Sequence, residues 1–271
     1  MIHAFHTMRN AVLSMVAEFE CRKCGTIVSL EQYESDRFCP NCGTFLRAKR
    51  LKTDRLRAEK GKKRIEVDRD DINVDSLYYE YTHFSPIDVG GGVVFKTVDS
   101  WIFARKQAYV EFREKLSADK FHDLEQISKN FKEWLLFRNN LSWTTLQRTG
   151  YQALRKPERL ADLLFLLQND ELDVGERVRR GLKGEEKVRG IGQGILTALL
   201  HTFYDDKYCV WNSRTQETLE ILRRPTKRHS DIGKTYKEVN SSLHELTEEL
   251  NTDLTTTDGF MWFISKQVRF I

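Results

Sequence analysis

The sequence predicts a mainly α protein, a helical body preceded by a small β zinc ribbon. Three observations predict it. Apolar residues recur at helical spacing from Trp101 onward, two C-x-x-C-G units stand near the N-terminus, and a Gly-Ile-Gly turn joins a charged stretch to an apolar one. At 271 residues the chain is long enough for one sizeable core and a small accessory module. The pattern divides it into a ribbon over 1–48, a basic linker with a short β-like segment over 49–103, and a helical domain over 104–271.

Lys and Arg number 44 against 40 Asp and Glu, and a net charge of +4 does not by itself name a polyanionic partner. Residues 1–15 hold two His and an Arg, with neither a uniform apolar run nor a small-residue cleavage site, and nowhere are about 18 apolar residues consecutive. A soluble, unexported protein is expected. Four of the five cysteines form two close pairs and Cys209 stands alone, which is metal-site arithmetic rather than a disulfide framework. A reducing, cytoplasmic compartment follows.

The ribbon rests on Cys21-Arg-Lys-Cys24-Gly25 and Cys39-Pro-Asn-Cys42-Gly43. Two thiolates two residues apart reach one ion because the tight turn between them aims both sulfurs inward, and the glycine after each second Cys permits the positive φ that turn needs. Cys21, Cys24, Cys39 and Cys42 together make a closed tetrahedral zinc site with no position left for water, so the metal is expected to be structural. Behind it the charge concentrates. Residues 47–64 hold ten basic side chains, among them Lys49, Arg50, Lys62, Lys63 and Arg64, against Asp54 and Glu59, a local +8. Such density displaces counterions from a phosphate backbone; the alternative is a solvated helix or linker.

Between residues 67 and 105, Leu77-Tyr78-Tyr79-Glu80-Tyr81 and Val93-Val94-Phe95 favour β structure, separated by Pro86 and Gly90-Gly91-Gly92, so short strands or an extended arm are expected there, with the glycines as a turn. Beyond Trp101, Phe121, Leu124, Ile127, Phe131, Trp134 and Leu135 follow helical steps. Ser142 is placed to cap Trp143–Ala153, Pro157 to open Glu158–Gln168, and Asp173 to cap Glu176–Leu182. The aromatics Phe131, Trp134, Phe137 and Trp143 read as core.

The most informative segment is Lys187-Val-Arg189-Gly190-Ile191-Gly192-Gln193-Gly194, which runs into Ile-Leu-Thr-Ala-Leu-Leu200. It reads as helix, hairpin, helix. The glycines allow a tight turn that leaves the first N–H groups of the second helix exposed, and those amides with the helix dipole attract a phosphate without needing a lysine. A dinucleotide-binding turn would need a hydrophobic strand ahead of it, and Glu185-Glu186-Lys187-Val188-Arg189 is a poor one.

On these residues the chain resembles the helix-hairpin-helix DNA glycosylase superfamily over about 121–224. Gly190-Ile191-Gly192 matches the hairpin, Thr197-Ala198 the second helix, and Lys207-Tyr-Cys-Val-Trp-Asn212-Ser213-Arg214 the segment that ends in the family's catalytic Asp. The resemblance implies a glycosylase-like helical domain. It also marks two departures: Asn212 occupies the aspartate position, and Gly194 stands where bifunctional members carry the Schiff-base lysine. A neutral amide stabilises the positive charge developing on the sugar far less well than a carboxylate. Asn212 has a plain structural use as well, as N-cap of a helix over 214–222. Segments around Tyr236–Asn240 and Thr257–Ile264 resemble more loosely those attached to nuclease or ATPase modules in restriction-like systems.

The leading expectation is a DNA-binding protein of DNA repair or restriction-like defence, holding phosphates through Lys187, Arg189, Gly190, Ile191, Gly192, Gln193 and Gly194 and the basic run, with Trp211 and Asn212 as a base pocket. A second is a divergent base-excision glycosylase in which Asp205 or Asp206 supplies the acid and Asn212 positions water or sugar. A third is a scaffold for a nuclease or ATPase partner.

Overall fold

The computed structural model describes residues 19–20, 26–28, 41, 64–69, 71–90, 93–136 and 149–271. The chain forms two units, Met1–Lys63 and Arg64–Ile271. In the first, β1 (Phe19–Glu20) and β2 (Ile27–Val28) pair antiparallel, Phe19 opposite Val28, on either side of the first C-x-x-C. Asn41, inside the second C-x-x-C in sequence, donates its Nδ2 to Thr26 Oγ1, just after the first, at 3.2 Å. The four cysteines and the basic residues 47–63 lie outside the described residues.

The second unit starts with β3 (Ile65–Val67). Residues 74–82, expected as strand or arm, form helix α1 (Val74–Thr82) instead. The physical reason is tertiary: Leu77 and Tyr81, one helical turn apart, bury on one face, Asn73 caps the start by accepting from Ser76 N–H, and the Tyr81 ring lies 5.7 Å from those of Phe260 and Phe263. Burial of that face outweighs the β preference of three tyrosines. The second β-like stretch is confirmed, since β4 (Ile87–Gly90) and β5 (Val93–Phe95) make an antiparallel pair.

Helix α2 (Val98–Lys115) opens on a reciprocal cap between Thr97 and Ser100 and buries Trp101, Ile102, Ala108, Tyr109 and Phe112. Helix α3 (Leu124–Leu136) buries Ile127, Phe131, Trp134 and Leu135, and Trp134 Nε1 donates to Thr202 Oγ1 at 3.0 Å, so the core reading of Phe131 and Trp134 holds. Ser142, Phe137 and Trp143 lie outside the described residues, as does most of the helix expected over 143–153; the described end of that span runs into a 3-10 turn, Tyr151–Arg155.

Helix α4 (Pro157–Gln168) begins on its proline, where the missing N–H costs nothing. Helix α5 (Val174–Lys183) is capped by Asp173, whose carboxylate accepts from Gly175 N–H. Helix α6 (Gln193–Phe203) is buried at every residue from Ile195 to Phe203 and forms the centre of the unit. It packs against α2, α4 and α5, and is followed by α7 (Ser213–Ile221), α8 (Ile232–Glu249) and α9 (Leu254–Gln267), whose Phe260, Met261, Phe263 and Ile264 are core, as a terminal core helix requires. Strand β6 (Val268–Phe270) then pairs parallel with β3, Ile65 opposite Val268, so the two ends of the unit are clasped together. The architecture is mainly α, and residues 64–103, which the sequence separates from the helical domain, pack within it.

Candidate functional site

The hairpin between α5 and α6 is held from below by apolar side chains and from the side by arginines. Val188 and Ile191 are 3% and 4% exposed, and Ile191 N–H closes a turn onto Val188 O at 3.1 Å. Arg189 and Gly190 form its corner. Gly190 has φ +92, and a Cβ there would lie 2.0 Å from Thr149 O, so both the backbone conformation and the space demand glycine. The Arg180 guanidinium pairs with Glu186 and holds its carboxyl below the ordinary range, while Arg159 donates to Glu185 O. The Glu186 carboxylate and the Glu185 carbonyl at the hairpin base are thus each engaged by an arginine.

Gly192 is different. Its φ of −98 and ψ of −177 are open to any residue, and a Cβ there would find nothing within 4 Å. It is the N-cap of α6 and brings no side chain to cap it. The first intrahelical bond runs from Leu196 N–H to Gly192 O at 3.0 Å, so the helix offers no acceptor to the N–H groups of Gln193, Gly194 and Ile195. The hairpin borders an open groove of about 540 Å³ lined by Thr149 and residues 187–192. Lys187 and Arg189 are exposed beside it, with no charged partner among the described residues. Unpaired amides, the positive end of a helix dipole and two free cations converge on one mouth, an arrangement that attracts an oxyanion.

The other sequence candidates fall elsewhere. Asn212 Oδ1 accepts from Arg214 N–H at 2.9 Å and Thr215 N–H at 3.1 Å, and Thr215 Oγ1 accepts from Asn212 N–H, so its side-chain oxygen is spent on capping α7. Trp211, expected as a base pocket, is 3% exposed, its ring 6.0 Å from that of Tyr236 and closed to a base from solvent. Its main chain is pinned to α6, donating to Thr197 Oγ1 at 2.9 Å and accepting from it at 3.2 Å. Of the two candidate acids, Asp205 forms an ion pair with Arg113 at 3.0 Å and is largely covered, whereas Asp206 is exposed. Cys209 is buried, which pushes its thiol far up and leaves it inert. Lys49, Arg50, Lys62 and Lys63 lie outside the described residues, and Arg64 is exposed at the start of the second unit.

Sequence reasoning missed Arg159 and Arg180 as supports of the hairpin, since each looks like one more charge on an exposed helix face. For Arg180 the signal is Glu186, six residues on; the Arg159 contact is to a main-chain carbonyl and has none. It also missed a buried network in which Arg105 donates to Asp258 Oδ2 at 2.5 Å and to Tyr109 Oη at 2.8 Å, joining α2 to α9. Among the described residues no group of three or more His, Cys, Asp or Glu is placed to hold a metal ion, and no helix is long and apolar enough to cross a membrane.

No family model matches the chain, and no curated protein matches it. Among solved structures it is similar to the Methanocaldococcus jannaschii 8-oxoguanine glycosylase/lyase in complex with a 15mer DNA containing 8-oxoguanine, with 15% identity and a TM-score of 0.34 over 70% of this chain and 87% of that chain.

Proposed function

We propose that the protein binds DNA through its phosphate backbone, with the α5–α6 hairpin as one contact and the basic run after a zinc ribbon as another. The observation that carries the reading is Gly192: no steric demand explains a glycine there, yet it leaves the amides of the part-exposed Gln193 and Gly194 open to an approaching phosphate. The zinc fits the chemistry of four thiolates in two C-x-x-C-G units, and the Asn41–Thr26 hydrogen bond supports a site shared between them. Cys21, Cys24, Cys39 and Cys42 would hold it, and its contribution is to fold the ribbon. No bond-breaking step is required of Asn212, whose side chain is occupied as a cap.

Two substitutions separate the glycines. Gly192→Asp places a carboxylate where it caps α6 and repels a phosphate, so thermal stability stays within about 0.5 kcal/mol of wild type while affinity for duplex DNA at low salt falls roughly tenfold or more. Gly190→Ala instead costs about 1–3 kcal/mol of stability, since a side chain must enter a left-handed position against Thr149. Fluorescence anisotropy with labelled DNA across a salt series, alongside thermal melts, reads both. A folded Gly192→Asp protein that binds with wild-type affinity and salt slope overturns the hairpin contact.

A further inference from the structure

Helix α4 carries a second concavity, formed on its outer face and independent of the hairpin reading. Its inner face, Leu160, Leu163, Leu164 and Leu167, is fully buried. Glu158, Ala161, Asp162 and Phe165 recur at three- and four-residue steps on the opposite side and, with Phe121 and Leu124, line an open groove of about 300 Å³. Phe165 is 59% exposed, and its ring stands 6.4 Å from that of Phe121 at 71°. A large aromatic ring held this far out of the core on an otherwise well-buried helix is an unfilled contact.

The charges say what fills it. Glu158 is exposed and has no charged partner within 4 Å among the described residues. Asp162 meets Arg159 only at 3.8 Å, and that guanidinium already donates to Glu185 O. Ring faces carry negative quadrupole potential and the carboxylates carry full negative charge, so both attract a cation and both repel a phosphate. A purely apolar side chain would strip water from Glu158 and Asp162 without replacing its hydrogen bonds. A stacked nucleobase would bring its own phosphate against them.

We propose that this groove receives an arginine side chain from a basic segment of a partner protein, the guanidinium plane lying on the exposed Phe165 ring, with the edge-on Phe121 ring beside it, and its N–H groups donating to Glu158 and Asp162. Arginine suits the site better than lysine because its planar, weakly hydrated head both stacks on a ring and bridges two carboxylates.

The test uses the full-length, zinc-loaded protein and a fluorescein-labelled peptide with one arginine flanked by leucines, with lysine and citrulline counterparts, in low salt. Saturable binding of the arginine peptide is expected, weakened about fivefold by Phe165→Ala and by a comparable factor in Glu158→Gln/Asp162→Asn. Citrulline, which keeps the shape and loses the charge, should bind as weakly as the carboxylate variant does arginine. All three positions are exposed on α4, so the variants should melt with wild type, and the carboxylate pair keeps the test decisive should Phe165→Ala fail to fold. Equal binding of arginine and citrulline, or peptide binding indifferent to the groove variants, overturns the proposal. So does a Phe165→Ala protein that loses affinity for labelled DNA rather than for peptide, which would make the groove part of a nucleic-acid face.

Discussion

His201 has both ring nitrogens engaged inside the core: Nδ1 lies 2.7 Å from Tyr208 O and Nε2 3.3 Å from Thr255 Oγ1, with the ring edge-on to Tyr109. That pattern fits the neutral ring, with Nδ1–H donating and Nε2 accepting. Burial holds its pKa below the ordinary 6.5, and the nearby Arg105 works in the same direction. The unfolded chain therefore takes up the proton more readily than the folded one. Stability is complete above about pH 6.5 and declines below it, at up to ~1.4 kcal/mol per pH unit until the folded histidine protonates. Asp173, held low chiefly by the hydrogen bond from Lys237, loses its contribution only below 3.8, so the two windows separate. Chemical denaturation between pH 7 and 5 should show the decline in wild type and a flatter profile in His201→Gln. The two hairpin glycines make the complementary point about what single residues disclose. Both are legible in the sequence as turn formers, yet only Gly190 has a turn to form; the separate role of Gly192 depends on an absent contact, and an absent contact leaves no mark in a sequence.

Helices α5 and α8 cross on glycines. A Cβ on Gly233 would lie 2.1 Å from Gly175 O, and beside the crossing Lys237 pairs with Asp173 at 2.9 Å. Because α5 leads directly into the hairpin, this crossing sets where Gly190 and Gly192 stand. Gly233→Ala forces the helices apart, with an expected loss of about 1–3 kcal/mol and a fall in DNA affinity among molecules that remain folded. Lys237→Ala removes only an exposed ion pair, and about 1 kcal/mol or less is expected. Denaturant midpoints with DNA anisotropy distinguish the two, and an unchanged midpoint in Gly233→Ala would rule out the close crossing. At this scale the caps are the legible part: Pro157, Asp173 and Asn212 each open the helix their chemistry specifies. Helix α1 was not legible, because the rings that bury Tyr81 come from Phe260 and Phe263, far along the chain. Local preference decides an element only where distant packing is indifferent to it.

The same distance effect governs the molecule's division. Composition changes near residue 103, but the physical joint falls between Lys63 and Arg64, because β3 is clasped by β6 and α1 is covered by α9. Residues 64–271 have their own core, in which α6 is buried from Ile195 to Phe203, so this fragment should fold without residues 1–63 and melt cooperatively. It retains the hairpin with Lys187 and Arg189 but loses all of the +8 run except Arg64. On the phosphate-backbone reading, each lost phosphate contact lowers the slope of log affinity against log salt by about 0.9. The fragment should therefore bind DNA more weakly and with a shallower slope, while Gly192→Asp within it should remove most of what remains. Chelation of the full-length protein gives the matching control. If the zinc-folded ribbon positions the basic run, one zinc ion per chain is expected by native mass spectrometry, and its removal should weaken DNA binding without unfolding residues 64–271. If the run instead acts as a free polycation, chelation will leave affinity unchanged while truncation still lowers it. The pair of measurements thus separates charge that is merely present from charge that is held in place.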